Sequence, residues 1–242
     1  MKIIVLTNGA THGRRILEAL KQDATPIAAV ILERAMPPAR PGLSACIREL
    51  GYQTTAAVLY RDLCEKLWPA LPALQYRGFA PIVRRVTDFN SPQTIQLLTE
   101  LGPDLIILGG ARILKPPTLA CAKVAVLNAH PGLLPAYRGN DVVAWALHNG
   151  DAVGVTVHVV DAGIDTGPIL RKQELAVGKG ESIKDLRLKA EVLAATMMAQ
   201  VVRELMSSGR IVPLLSSGPR GPLYRAMAPE MREALDRRLR GQ

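Results

Sequence analysis

Residues 123–139 read KVAVLNAHPGLLPAYRG. The first part is a short apolar run of strand character. The second carries two prolines and two glycines, which forbid a regular helix or strand. Asn128 and His130 stand two apart at the junction, a spacing that points both side chains the same way on extended backbone. Taken alone, the stretch is either a turn that contains a structural histidine or the working loop of an enzyme.

The flanking sequence decides what this run belongs to. Residues 103–110 (PDLIILGG) form a continuous apolar run, the mark of a strand buried on both faces. Before it, SPQTIQLLTELG (91–102) carries Ser-Pro at its start and Gly at its end, the start and stop signals of a helix. After the loop, residues 141–148 read as a helix ending in Asn-Gly and 155–160 as a strand. Residues 182–206 read as a long helix with a capping signal from Ser182 and Asp185. At the N-terminus, residues 2–6 (KIIVL), a Thr-Asn-Gly turn, a helical pattern over 14–21 and an apolar run over 27–32 open a βαβ unit. Its connection is expected to be right-handed. Residues 83–86 fit a further strand.

The alternation predicts an α/β fold, an open, doubly wound and mostly parallel sheet over residues 1–205. An elaborated connection covers about 37–92, with helical candidates at 43–50 and 54–67. Residues 206–242 form a C-terminal extension. Within it RAMAPEMREALDRRLR reads as a solvated amphipathic helix with Met227, Met231, Leu235 and Leu239 on one face. No internal repeat stands out.

With 242 residues, 48% of them hydrophobic and 21% charged, the chain has material for a large core. No apolar run approaches membrane-spanning length, and the N-terminus lacks a signal-peptide apolar region, so a cytoplasmic protein with no membrane partner is expected. Three scattered cysteines (Cys46, Cys64, Cys121) and four histidines (His12, His130, His148, His158) lack metal-site spacing; no metal is expected. A net charge of +9 can recruit nucleic acid or an anionic small molecule. The arginines are spread along the chain apart from the tail, so a nucleic-acid partner is disfavoured, and a homodimer is compatible with the sequence.

In open α/β sheets ligands lie outside the carboxyl ends of the strands. The turns to watch are therefore 7–13, 109–114, 128–139 and 161–168. Asp165, 35 residues beyond His130 in VDAGIDTGPIL, also follows a strand. If the two strands are neighbours, an amide, an imidazole and a carboxylate converge. Such a set suits acyl transfer: the Asn NH2 stabilises an oxyanion, the imidazole moves a proton, and the carboxylate orients it. There is no GxSxG, and no cysteine lies in these turns, which argues against a covalent acyl-enzyme. His158, inside VTVHVV, reads as a packed or hydrogen-bonding strand residue, His148 as a partner of helix C-terminal carbonyls, and Asp161 as the cap of the turn holding Asp165. The first turn, TNGATHG, is neither GxGxxG nor a P-loop. It still offers N–H groups to an anion, which makes Asn8, Gly9 and Thr11 candidate substrate contacts together with Arg138 and Gly139.

NAHPGLLPAYRG followed by GVTVHVVDAGIDTGPIL resembles the formyltransferase family that uses 10-formyltetrahydrofolate. The family includes glycinamide ribonucleotide, methionyl-tRNA and nucleotide-sugar N-formyltransferases. The likeness runs over residues 103–170, with weaker agreement in the N-terminal βαβ. It implies Asn128, His130 and Asp165 as the catalytic set, and Gly110, Arg112, Ile113, Leu114, Ala162, Gly163 and Ile164 as the pterin pocket. A flexible loop over 134–139 would close on the reacting groups. Gly132 departs from the Ser of HPSLLP in several relatives and is expected to loosen that loop. In the implied mechanism a neutral amine attacks the formyl carbon while Asn128 and a protonated His130 stabilise the oxyanion.

Three comparisons bear on the acceptor. Methionyl-tRNA enzymes usually carry a further C-terminal β-barrel, and glycinamide ribonucleotide enzymes a Gly-Ser-Asn phosphate loop in the first turn. The related deformylase normally has an N-terminal regulatory domain. A small-molecule amine, such as an amino sugar nucleotide, is therefore the expected acceptor. Glycinamide ribonucleotide is the first alternative, and a methionyl-tRNA-type enzyme without its tRNA-binding domain the second. A non-catalytic basic α/β binding module is the rival from another class.

Overall fold

A computed structural model of the chain describes residues 1–33, 76–214 and 220–241. The helical candidates at 43–50 and 54–67, together with Cys46 and Cys64, lie outside the described residues.

The chain opens with β1 (Ile3–Thr7), α1 (Thr11–Gln22) and β2 (Ile27–Glu33). After the undescribed stretch come β3 (Ile82–Val86), α2 (Pro92–Leu101), β4 (Leu105–Gly109), the short α3 (Pro116–Leu119) and β5 (Ala125–His130). Then follow β6 (Arg138–Gly139), α4 (Val142–Asn149), β7 (Val153–Val159), β8 (Ile169–Leu175) and α5 (Ile183–Ser208). The chain ends with β9 (Leu223–Tyr224) and α6 (Pro229–Arg240).

Among the described residues, seven strands form one sheet in the order β3-β2-β1-β4-β5-β7-β8. The pairs from β3 to β5 are parallel, and β5–β7 and β7–β8 are antiparallel. The apolar character of β1 and β4 at almost every position follows from their central place. Ile3 and Val5 face one side with Ile16, Leu17 and Leu20 of α1 and Met197 of α5. Ile4 and Leu6 face the other with Phe89 and Leu98. A strand covered on both faces has no solvent side on which to place polar residues.

The helix ends follow the local sequence signals. The Ser91 hydroxyl accepts from Thr94 N–H, Pro92 occupies the first turn of α2, and Gly102 ends it in the left-handed region at φ 55°. Ser182 and Asp185 form a reciprocal capping box at α5.

Four features depart from the sequence expectation. The strand carrying Asn128 runs on to His130, because β7 pairs with it through Asn128↔His158 and His130↔Thr156. The edge strand β8, ILRKQEL, is not visible in hydropathy, because an edge with one wet side can be largely polar. The loop over 134–139 is not free: Leu134 and Tyr137 are buried, and β6 pairs in parallel with β9 of the C-terminal segment. Finally, α6 is docked rather than merely solvated. Met227 before it and Leu235 within it are buried, while Met231 stays exposed. Its Asp236 carboxylate accepts from Ile183 N–H at the start of α5.

Candidate active site

The carboxyl ends of β4 and β5, His12 of α1 and the start of the β7–β8 connection open onto one cavity of about 960 Å³. Asn128 and His130 reach it from the last turns of β5, and Asp165 from the loop after β7. The antiparallel register of β5 and β7, with Leu127↔Val159 and Asn128↔His158, sets the last residues of β7 beside Asn128, so that the loop after β7 lies within reach of the end of β5.

Within the cavity, His130 Nδ1 lies 3.6 Å from one Asp165 oxygen, and His158 Nε2 lies 3.6 Å from the other. The His158 Nε2 is also 3.3 Å from Asn128 Nδ2. Hydrogen-bond partners settle the tautomer of each ring in its neutral form. His130 Nε2 is 2.8 Å from the Tyr137 carbonyl, which can only accept, so this nitrogen carries the proton and Nδ1 holds the lone pair. His158 Nδ1 is 2.9 Å from the Val159 carbonyl, so its Nε2 is the acceptor. That acceptor fixes the Asn128 amide with NH2 toward His158 and leaves the second N–H of that group unspent on the ring.

Burial pushes both imidazoles below their ordinary pKa, with the Asp165 charge pulling each part of the way back. The protonated His130 expected from sequence is therefore not the resting form; the neutral ring is, because its surroundings hold it out of water. Asp165 itself sits in the left-handed region at φ 52°. Its Oδ2 accepts from Gly139 N–H at 2.9 Å. Asp161 accepts from Gly163 N–H and the Thr166 hydroxyl, and so caps the turn that carries Asp165.

The other sequence candidates divide. Gly110, Arg112, Ile113 and Leu114 line the cavity after β4, and Gly163, Ile164 and Gly139 line the opposite wall. Ile113 is 64% exposed, an apolar side chain offered to solvent at the rim. Arg112 is anchored by Glu33 at 2.9 Å. Ala162 is not among the lining residues. Neither are Asn8, Gly9 and Thr11: Asn8 accepts from Ala10 N–H within the turn, and the Thr11 hydroxyl donates to Glu191 of α5. The neighbouring His12 faces the cavity instead, beside Glu191 and Arg187 of α5. Arg138 also turns away, its guanidinium donating to the carbonyls of Ile164 and Gly221.

Gly132 has a different role from the one expected. A Cβ there would lie 2.8 Å from both His130 Nε2 and the Tyr137 carbonyl oxygen. The glycine admits the His130–Tyr137 hydrogen bond; it tightens the loop rather than loosening it. The residue that sequence reasoning left outside the site is His158. The alternation of VTVHVV places Thr156 and His158 on one face, a signal that becomes specific only when Asn128 is known to sit opposite.

Among the described residues, no helix is long and apolar enough to cross a membrane. The formyl transferase family model matches residues 1–202. A methionyl-tRNA formyltransferase from Chlorobium chlorochromatii is 32% identical over 124 residues, 51% of this chain and 40% of that protein. Its counterpart from Ruminiclostridium cellulolyticum is 31% identical over 171 residues, 68% of this chain and 54% of that protein. The chain thus spans about half the length of the curated relatives it matches. Among solved structures, glycinamide ribonucleotide transformylase 1 from Symbiobacterium toebii superposes with TM-score 0.61 at 24% identity, covering 91% of this chain and 92% of that one. A sugar N-formyltransferase from Shewanella gives 0.60 at 13% identity, covering 93% and 76%. These structures share the fold, and the sequence match carries the assignment: this chain belongs to the formyl transferase family.

Proposed function

We propose that the chain transfers the formyl group of 10-formyltetrahydrofolate to a primary amine. The observation that carries this reading is the convergence of Asn128, His130 and Asp165, with His158, in one cavity. The donor's requirements fit the remaining walls: Gly110, Ile113, Leu114, Gly163 and Ile164 give backbone and aliphatic surface suited to a flat heterocycle. When bound, the donor supplies the formyl carbon.

The chain's own residues handle charge and protons. Asn128 spends one N–H on His158 and offers the other to the formyl oxygen as negative charge builds on it. His130 is neutral at rest and keeps its Nδ1 lone pair for the proton of the attacking amine. Asp165 stabilises the imidazolium so formed, and His130 then returns the proton to the departing nitrogen. The protein forms no covalent bond to the formyl group.

The acceptor is proposed to be a small-molecule amine such as an amino sugar nucleotide, acting in the cytoplasm. The cavity volume lies at the upper end of the small-ligand range, and Arg225 is one of the cationic side chains in its lining that an anionic acceptor could use. A methionyl-tRNA acceptor is the second reading, favoured by the 31–32% identity to those enzymes.

Calorimetry with 5-formyltetrahydrofolate tests the donor. Formylation of an amino sugar nucleotide, glycinamide ribonucleotide and methionyl-tRNA separates the acceptors. Asn128→Ala should lower turnover by about 10²–10³; near-normal turnover in that variant would falsify the proposed role of the amide.

A further inference from the structure

The family match ends at residue 202, yet residues 223–225 border the same cavity. This segment is tied to the loop that follows β5 at several points. Gly221 N–H donates to the Pro135 carbonyl, and Asn140 N–H donates to the Tyr224 carbonyl at 3.0 Å. The indole N–H of Trp145 donates to the Arg225 carbonyl at 2.8 Å, and Met227 N–H donates to Asp141. The Tyr224 ring lies between two others. It stacks on Tyr137 at 5.3 Å and 9°, and on Trp145 at 5.3 Å and 29°.

Both partners of the Asp165–His130 pair depend on what Tyr224 holds. The Tyr137 carbonyl accepts the His130 Nε2–H, and the Tyr137 ring rests on Tyr224. Gly139 pairs with Tyr224 across β6 and β9, and its N–H grips Asp165. A Cβ on Gly139 would lie 2.3 Å from the Tyr224 carbonyl oxygen, so the two backbones touch. Asp165 stands at positive φ, a conformation uncommon for a non-glycine residue, and the Gly139 N–H bond helps to hold its side chain there.

We infer that Tyr224, outside the region matched by the family, is a positioning residue for formyl transfer. Its ring and backbone hold the loop that sets His130 and Asp165 in register. The inference rests on the proposed role of those two residues. The chemistry it serves needs them within a fraction of an ångström, so loss of the clamp should act on turnover rather than on donor binding.

Two full-length variants test it. Tyr224→Ala removes the stacked ring. Gly221→Ala leaves the ring but would put a Cβ 1.8 Å from the Ala136 carbonyl oxygen, forcing the segment off the loop. In each, kcat should fall on the order of 10- to 100-fold while KM for the donor stays within about twofold. Tyr224→Phe keeps the stack and should restore turnover. Imidazole nitrogen NMR gives a readout independent of turnover. The His130 Nε2–H resonance, protected in the wild type and in Tyr224→Phe, should broaden or vanish in Tyr224→Ala and Gly221→Ala. If that resonance and kcat both survive in the two variants, or if KM rises while kcat holds, the inference is overturned. A wild-type chain that binds no formyl donor would count against the proposed activity, while the resonance would still decide whether Tyr224 positions His130.

Discussion

At the scale of single residues, the site is governed by what water cannot reach. His130 is 4% exposed, and burial lowers its pKa from the ordinary 6.5 even against the opposing pull of Asp165 and the Tyr137 carbonyl. A neutral imidazole is the active form of a base, so kcat/KM should rise with pH and reach its plateau through a midpoint below 6.5. Asp165→Asn deletes the charge that raises the imidazole pKa. Its pH–rate profile should show a lower plateau and an acid limb displaced to still lower pH. A limb that stays in place would show that the carboxylate does not act on His130. Asn128 and His130 stood out because they close an apolar run just before a loop rich in Gly and Pro, and Asp165 because it lies in a Gly-rich turn after another such run; their joint role was implied by the likeness of both stretches to one family. His158 was legible only as a hydrogen-bonding strand residue. Its tie to Asn128 and its approach to Asp165 depend on a cross-strand register that no single strand encodes.

At the scale of elements, the N-terminal βαβ shows how close approach is achieved. Gly13, in the first turn of α1, packs against the ends of β1 and β4. A Cβ there would lie 2.1 Å from Thr7 Oγ1 and 2.4 Å from the Gly109 carbonyl oxygen. Gly13→Ala should therefore lever α1 away from the sheet and cost about 1–3 kcal/mol. Thermal unfolding should show a midpoint lower by roughly 2–4 °C for each kcal/mol in a chain of this size. An unchanged midpoint would mean that the helix end shifts freely. The caps of α2 and α5 were readable from Ser-Pro, Ser-x-x-Asp and the closing glycines, because capping is a contact between residues three apart. The two-residue strands β6 and β9 were not. Their pairing joins segments 85 residues apart, as Arg138↔Leu223 shows.

At the scale of the whole molecule, the three histidines whose pKa is lowered make stability depend on pH. His12, His130 and His158 are each depressed chiefly by burial. In the unfolded chain they take up protons near pH 6.5, whereas the folded chain resists until lower pH. The unfolded state therefore binds more protons below about 6.5, and stability falls as pH drops from there toward the folded-state values. The melting temperature should be higher at pH 7.5 than at pH 5.5, and His130→Gln should reduce that difference. A melting temperature that is flat across this window would refute the assignment of these rings as buried and neutral.

The sequence by itself determined the α/β class, the central strands and the caps of α2 and α5, and it singled out Asn128, His130 and Asp165, whose catalytic role is the proposal made above. These depend on periodicity, on capping and on turn chemistry, which act between near neighbours. Only the tertiary structure decided that β7 runs antiparallel beside β5, that His12 faces the cavity while Asn8 caps the turn and Thr11 bonds to α5, and that the C-terminal segment clamps the loop. Those outcomes turn on which surfaces far apart in the chain exclude water together, a property of packing that local pattern does not carry.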